Sequence, residues 1–247
     1  QYASNAAFAV FEFLTGLFDD GSVHPASVNL DMRAARERWA AGEAAMLIDG
    51  SWNIGVVKTS FPEVYDRVAV TEPLRVSASQ PYMIYKTPPK GNFFISSNSD
   101  AVDAATHTLM KLMGEEYYIA LAERMDQPPL DLSAVAKAKV HPSYIKVCEI
   151  FSTTMGYRPD PILKNLDIAL VNVEMREIHP NPAEILQGYY SGAIKDWKSE
   201  LIKYNKAITA ERERAVKKVQ AEGGNVSLDD WKYPNYVYGQ SFLTEMY

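Results

Sequence analysis

Along most of this chain apolar residues recur every three or four positions, the period of a helix with one buried face, and strict alternation is rare. In "NAAFAVFEFLTGLFDDG" (5–21), Phe8, Phe11, Leu14 and Phe18 share one side and Gly21 supplies a stop. "LDMRAARERWAAG" (30–42) predicts a second helix, with Asp31 as N-cap and Gly42 as terminator. "EAAMLIDG" (43–50) breaks the pattern. It is a short apolar run between turn residues and predicts a buried strand, and the helical period returns past Ser51. "DRVAVTEPL" (66–74), "PYMIYK" (81–86) and "NFFISS" (92–97) predict extended segments, with "TPPKG" (87–91) turning between the last two. Ser99 is expected to cap a helix over 100–114, and another runs from about Glu115 to Arg124.

The second half is mostly helical in pattern. Helices are predicted over 141–155 and 161–178. "NPAEIL" (181–186) is a strong helix start, with Asn181 as N-cap, Pro182 at the first position and Glu184 in the first turn. A long helix then carries Ile194, Trp197, Leu201, Tyr204, Ile208, Ala215 and Val219 on its apolar side and ends at Gly223–Gly224. The tail from Asp229 is too rich in Tyr, Pro and Gly for a regular element. There is no internal repeat. The class is α/β and helix-rich.

Composition narrows the partners. With 247 residues, 47% of them hydrophobic and 23% charged, the chain can build a core without metals or disulfides. A formal charge of −6 argues against nucleic acid and anionic membrane as partners, since both reward clustered Lys and Arg. The dense run "AERERAVKKVQAE" (210–222) mixes both signs and reads as a solvated helix face. Cys148 is the one cysteine, set among apolar neighbours, and is expected to be a buried structural thiol. No stretch approaches about 18 uninterrupted apolar residues. Gln1 stands where an initiator methionine would, so a processed or truncated piece of a longer chain is expected.

Catalytic templates are missing. The histidines at 24, 107, 141 and 179 lie far apart, without a second ligand at metal-site spacing, and no cofactor is expected. G-x-S-x-G, P-loop and G-x-G-x-x-G patterns are absent. Asp19–Asp20 and Asp229–Asp230 are explained by capping rather than by acid/base work across a substrate.

Two stretches carry more. The first is the turn "DGSW" (49–52), where Ser51 is expected to cap the following helix. Trp52 would then stand beside its first-turn N–H groups. An indole with polar donors at its edge suits a sugar, which has C–H groups on one face and hydroxyls around its rim. The alternative is that Trp52 fills the core. The second is 88–113, a glycine turn, a strand, a serine-rich corner and a helix.

In this order, "LTGLFDDGSVHP" (14–25), "WAAGEAAMLIDGSWNI" (39–54), "VAVTEPL" (68–74) and "KGNFFISSNSDAVDAATHTLMKLM" (90–113) resemble the sugar-binding family of extracellular solute-binding proteins of ABC importers, the family of maltose-binding protein. "YRPDPILKNLDIALVNV" (157–173) and "NPAEILQ" (181–187) continue the resemblance. It implies the C-terminal part of a two-lobed, periplasmic-binding-protein-like (type II) fold, with most of the first lobe absent. Residues 1–90 would be the remaining second lobe, 91–155 a crossover strand and helices, and 156–247 the C-terminal helices and tail. The implied ligand contacts are Trp52 with Ser51 and Asp49, the glycine turn Gly91, Asn92 and Phe93, and the returning segment Tyr157 and Arg158. The implied partners are a carbohydrate or other small solute and a membrane permease. The implied location is extracellular or periplasmic, by secretion or a lipid anchor. Self-association through the surface of the missing lobe is a further expectation.

Three other classes compete. The first is a binding protein for another solute: a peptide, polyamine, phosphate ester or ferric ion. Tyr117–Tyr118 and Tyr189–Tyr190 are the only adjacent tyrosines that iron would use. The second is a glycosidase, which needs two carboxylates facing the sugar where the Trp52 turn offers only Asp49. The third is a helical interaction module built on 193–222.

Overall fold

The computed structural model describes residues 2–72, 74–75, 83–89 and 93–247. The chain is helix-rich, with ten α-helices and one two-stranded parallel sheet among the described residues. It packs as two units that are not continuous in sequence. Unit 1 comprises residues 1–45, 160–234 and 247, and unit 2 comprises 46–159 and 235–246.

Unit 1 is built on one long helix. In α1 (Asn5–Asp19) Ser4 caps the start, and Gly21 takes a left-handed conformation just past the end. Asp31 caps α2 (Met32–Ala40) and Gly42 is left-handed past its end, both as the sequence predicts. The helix predicted over 161–178 is instead two, α7 (Pro161–Lys164) and α8 (Ile168–Glu174). The break is held by polar contacts far away in sequence: Asn165 donates to the Asn225 carbonyl and the Asp230 carboxylate, and Asp167 accepts from the Asn225 N–H. In α9 (Pro182–Tyr190) Asn181 is the N-cap that the sequence predicts, and Glu184 completes a capping box with it. α10 (Trp197–Ala221) ends before the left-handed Gly223.

The two ends of α10 serve different clusters. Leu201 is buried with Phe11 of α1 and Ile185 of α9. Ala215, Val216 and Val219 are buried with Ile168 and Val171 of α8 and with Val226. Beside the second cluster Glu211 accepts two hydrogen bonds from Arg214 and one from the Arg176 N–H. Arg214 and Lys218 also reach Glu174 at the end of α8. Tyr190 stacks on Phe18, its ring 4.4 Å away, and donates to the Leu14 carbonyl, while Tyr189 donates to Asp19. That tyrosine pair is occupied in joining α1 to α9.

Unit 2 holds α3 (Asn53–Ser60), β1 (Ile84–Lys86), α4 (Val102–Lys111), α5 (Glu115–Arg124), α6 (Pro142–Thr154) and β2 (Met155–Tyr157). Its core joins Ile54, Ala122, Met125, Val135, Tyr144, Val147 and Cys148. Cys148 is buried as expected, and burial pushes its thiol up to about 11. β1 and β2 run parallel, with Tyr85 opposite Gly156. The tail holds the far side of β2, where Tyr157 N–H donates to Ser241 Oγ and Tyr157 carbonyl accepts from Phe242 N–H.

Several expected strands are not formed. Residues 43–50 carry no strand, and Met46 and Ile48 are 84% and 78% exposed. An apolar run becomes a strand only where a ladder partner exists, and the one ladder among the described residues lies elsewhere. Phe93–Ser97 are likewise outside any ladder, and Asn92, the first residue of that predicted run, lies outside the described residues. Of 81–86 only Ile84–Lys86 pair, with Pro81 and Tyr82 outside the described residues, and 66–74 begins in a 3-10 turn (Pro62–Arg67). Ser99 accepts from the Ala101 N–H but lies before the N-cap Ala101, so α4 starts later than predicted.

The contacts around Glu211 hold its carboxyl down to about 2, first through Arg214 and then through the Arg176 N–H. A carboxylate whose folded value is depressed stabilises the fold above its unfolded value and loses that contribution as pH falls through the window between the two. Thermal unfolding followed by circular dichroism between pH 5 and pH 2 is therefore expected to show a shallower fall in midpoint for Glu211→Gln than for the wild type.

Candidate functional site

Trp52 is the N-cap residue of α3 and is 39% exposed. Its indole folds back on the preceding turn, where a β-carbon added to Gly50 would overlap the six-membered ring. Asp49 accepts from the Gly50 N–H at 2.7 Å. Ser51 does not cap α3 as the sequence suggested. It is only 5% exposed, and its Oγ has no hydrogen-bond partner among the described residues.

The wall that faces Trp52 comes from α5. Gly55 brings α3 against the end of that helix so closely that a β-carbon there would overlap the Arg124 carbonyl oxygen. Lys58 donates to the Glu123 carbonyl at 3.3 Å, meeting one of the acceptors that a helix end leaves open. Met125 then turns left-handed and is fully buried, which brings Asp126 round to the same side. The result is an open groove of about 490 Å3 lined by Trp52, Gly55, Val56, Lys58, Thr59, Glu123, Arg124 and Asp126. Its charged residues, Lys58 and Arg124 against Glu123 and Asp126, balance in number.

The remaining predicted contacts stand apart from the groove lining. Tyr157 lies in β2 opposite Lys86, half-exposed. Arg158 follows it, with its N–H donating to the Lys86 carbonyl at 3.0 Å and its guanidinium to Thr87 Oγ1 at 3.2 Å. Phe93 is 68% exposed, outside any regular element. Gly91 and Asn92 lie outside the described residues.

Of the groove-lining residues the sequence singles out Trp52 and gives no sign of Lys58, Thr59, Glu123, Arg124 or Asp126. The available signal was Gly55, a glycine inside a short helix, which marks a close backbone approach without naming the partner.

A second groove, of about 510 Å3, lies in unit 1 along α10 and the 3-10 turn Leu228–Trp231. It is lined by Glu213, Val216, Lys217, Gln220, Ser227, Leu228 and Asp229, without an aromatic face. No cluster of three or more His, Cys, Asp or Glu able to hold a metal occurs among the described residues. No helix among them is long and apolar enough to cross a membrane. Comparison of the chain with models of protein families, with curated proteins and with solved structures gave no match.

Because Gly55 sets the spacing of the groove walls, Gly55→Ala must part α3 from α5 or distort both. Forcing extra atoms into a packed contact costs about 1–3 kcal/mol. Urea denaturation is expected to show that loss, with no comparable loss for Gly16→Ala in α1, where an added β-carbon meets nothing within 4 Å.

Proposed function

We propose that the chain captures a sugar or oligosaccharide without catalysis, for delivery to the membrane permease of an ABC importer, outside the cytoplasm. The observation that carries this reading is the Trp52 groove. A half-exposed indole stands at a groove whose other walls supply a lysine, a threonine, an arginine and two carboxylates. Sugars bind where a flat apolar face meets fixed hydrogen-bonding groups, and this groove offers both. The sequence motifs around "GSW" support the same reading, and the lobe arrangement they imply is part of the proposal. Tyr157 and Arg158 belong to it as secondary contacts.

Glu123 and Asp126 raise the glycosidase alternative. Hydrolysis by a carboxylate pair needs the two acids on opposite sides of the scissile bond. Both come from the end of α5 and line the groove from one wall, so capture without turnover is the better reading.

Tryptophan fluorescence against a panel of mono- and oligosaccharides tests it. A saturable change is expected in the wild type and is expected to vanish in Trp52→Ala, although Trp39, Trp197 and Trp231 remain. A chromogenic glycoside should not be turned over. No response of the wild type to any sugar, a response that persists in Trp52→Ala, or a response only to peptides would overturn the reading.

A further inference from the structure

The start of α3 differs from the starts of the other helices. Six helices have a side chain accepting from their first-turn N–H groups: Ser4, Asp31, His141, Asp160, Asn181 and Asp196. The starts of α4 and α5 are uncapped, and Val102 and Glu115, their first residues, are exposed to water. At α8 the first N–H groups bond back to Asn165, Leu166 and Asp167 carbonyls. At α3 the Asn53 N–H bonds to the Gly50 carbonyl, and the first full helical bond runs from the Val56 N–H to the Trp52 carbonyl. Among the described residues no side chain caps the N–H groups of Ile54 and Gly55 between them, and Ile54 is buried.

Two side-chain atoms at this same turn are also left over. Ser51 Oγ and Asn53 Oδ1 are sealed from solvent, and neither has a hydrogen-bond partner among the described residues. Leaving a buried polar group unsatisfied is unfavourable, so such a cluster is a standing cost to the fold. The set contains donors, in Ser51 Oγ–H and the helix N–H groups, and an acceptor, in Asn53 Oδ1. A deprotonated phosphate or carboxylate accepts only and would leave Asn53 Oδ1 facing another acceptor. A hydroxyl does both, and its oxygen suits the positive end of the helix.

Resting on the sugar-binding reading, we propose that the uncapped start of α3 is a hydroxyl-recognition site. In it Ser51, Asn53 and the Ile54 and Gly55 N–H groups contact the ligand rather than the fold. The Trp52 indole, which lies on Gly50 in this structure, lifts off that turn to admit a hydroxyl of the ring it stacks on. The site selects neutral polyhydroxylated rings over phosphorylated or carboxylated ones.

The test compares wild type, Trp52→Ala, Ser51→Ala and Asn53→Ala, using fluorescence titration with glucose, maltose, cellobiose, glucose 6-phosphate and glucuronate. Thermal unfolding of each protein runs beside it. Ser51→Ala removes a hydroxyl that makes no bond in the fold, so its unfolding midpoint is expected at or above that of the wild type. Its affinity for the best neutral sugar is expected to fall about threefold to tenfold, the loss of one neutral hydrogen bond. Asn53→Ala should lose a similar factor, and the charged sugars should bind more weakly throughout.

If Ser51→Ala and Asn53→Ala bind as the wild type does while Trp52→Ala does not, the hydroxyl site is overturned and the sugar reading stands. A lowered midpoint in Ser51→Ala, or tighter binding of the phosphorylated sugar, also overturns the site. No response of the wild type to any of the sugars overturns both.

Discussion

The groove depends on one contact between backbones. Gly55 meets the Arg124 carbonyl at a distance that leaves no room for a side chain. Around that contact Ile54 enters the core beside Ala122 and Met125, while Lys58 reaches the Glu123 carbonyl. Trp52, one turn earlier on α3, is thereby held opposite the charged end of α5. Met125 completes the arrangement. Its left-handed backbone ends α5, and its buried sulfur accepts from the Tyr65 hydroxyl and the His141 N–H. A non-glycine residue in that conformation is held there by what packs around it. The groove is therefore fixed by a helix end and a close backbone approach.

Unit 1 solves a different problem. Twenty-five residues of α10 span about 37 Å at 1.5 Å per residue, too long for one small core. The helix accordingly buries Leu201 in one cluster and Ala215, Val216 and Val219 in another. Glu211, Arg214 and Lys218 lie along the second half and bind Glu174 and the Arg176 backbone, which ties the end of α8 to α10. Removing one member of such a network strands the others, so its value lies in fixing the position of α8 more than in net attraction.

What could be read in the sequence follows from the range of each interaction. Caps and stops are local, so Asp31, Asn181, Gly21, Gly42 and Gly223 announced their helix ends, and the limits of α5 were legible from pattern alone. A strand is a property of two segments. The run at 43–50 has strand-like composition and no ladder, whereas Met155–Tyr157, the true partner of β1, was concealed at the end of a helical pattern. The break between α7 and α8 was equally hidden, because the groups that hold it open lie about sixty residues further on. The candidate site divides the same way. Trp52 was visible as an anomaly at a turn. Glu123, Arg124 and Asp126 were not, since their place beside it rests on Gly55 meeting a helix seventy residues away.

The failed prediction at Ser51 says more than the successful caps. Serine before an apolar helical run is a sound capping signal, and such a cap stabilises a helix by roughly 0.5–2 kcal/mol. The structure leaves that bond unmade and buries the hydroxyl beside a second orphan, Asn53 Oδ1. Sequences depart from local consistency chiefly where another requirement competes with folding. Here the departure falls within one residue of the half-exposed tryptophan and at the head of the helix that lines the groove. A polar turn satisfied by its own fold would have no hydrogen bonds to offer a ligand. On the proposed reading, one left unsatisfied gains them when a ligand binds, and the stability given up in the free protein becomes affinity and selectivity in the complex.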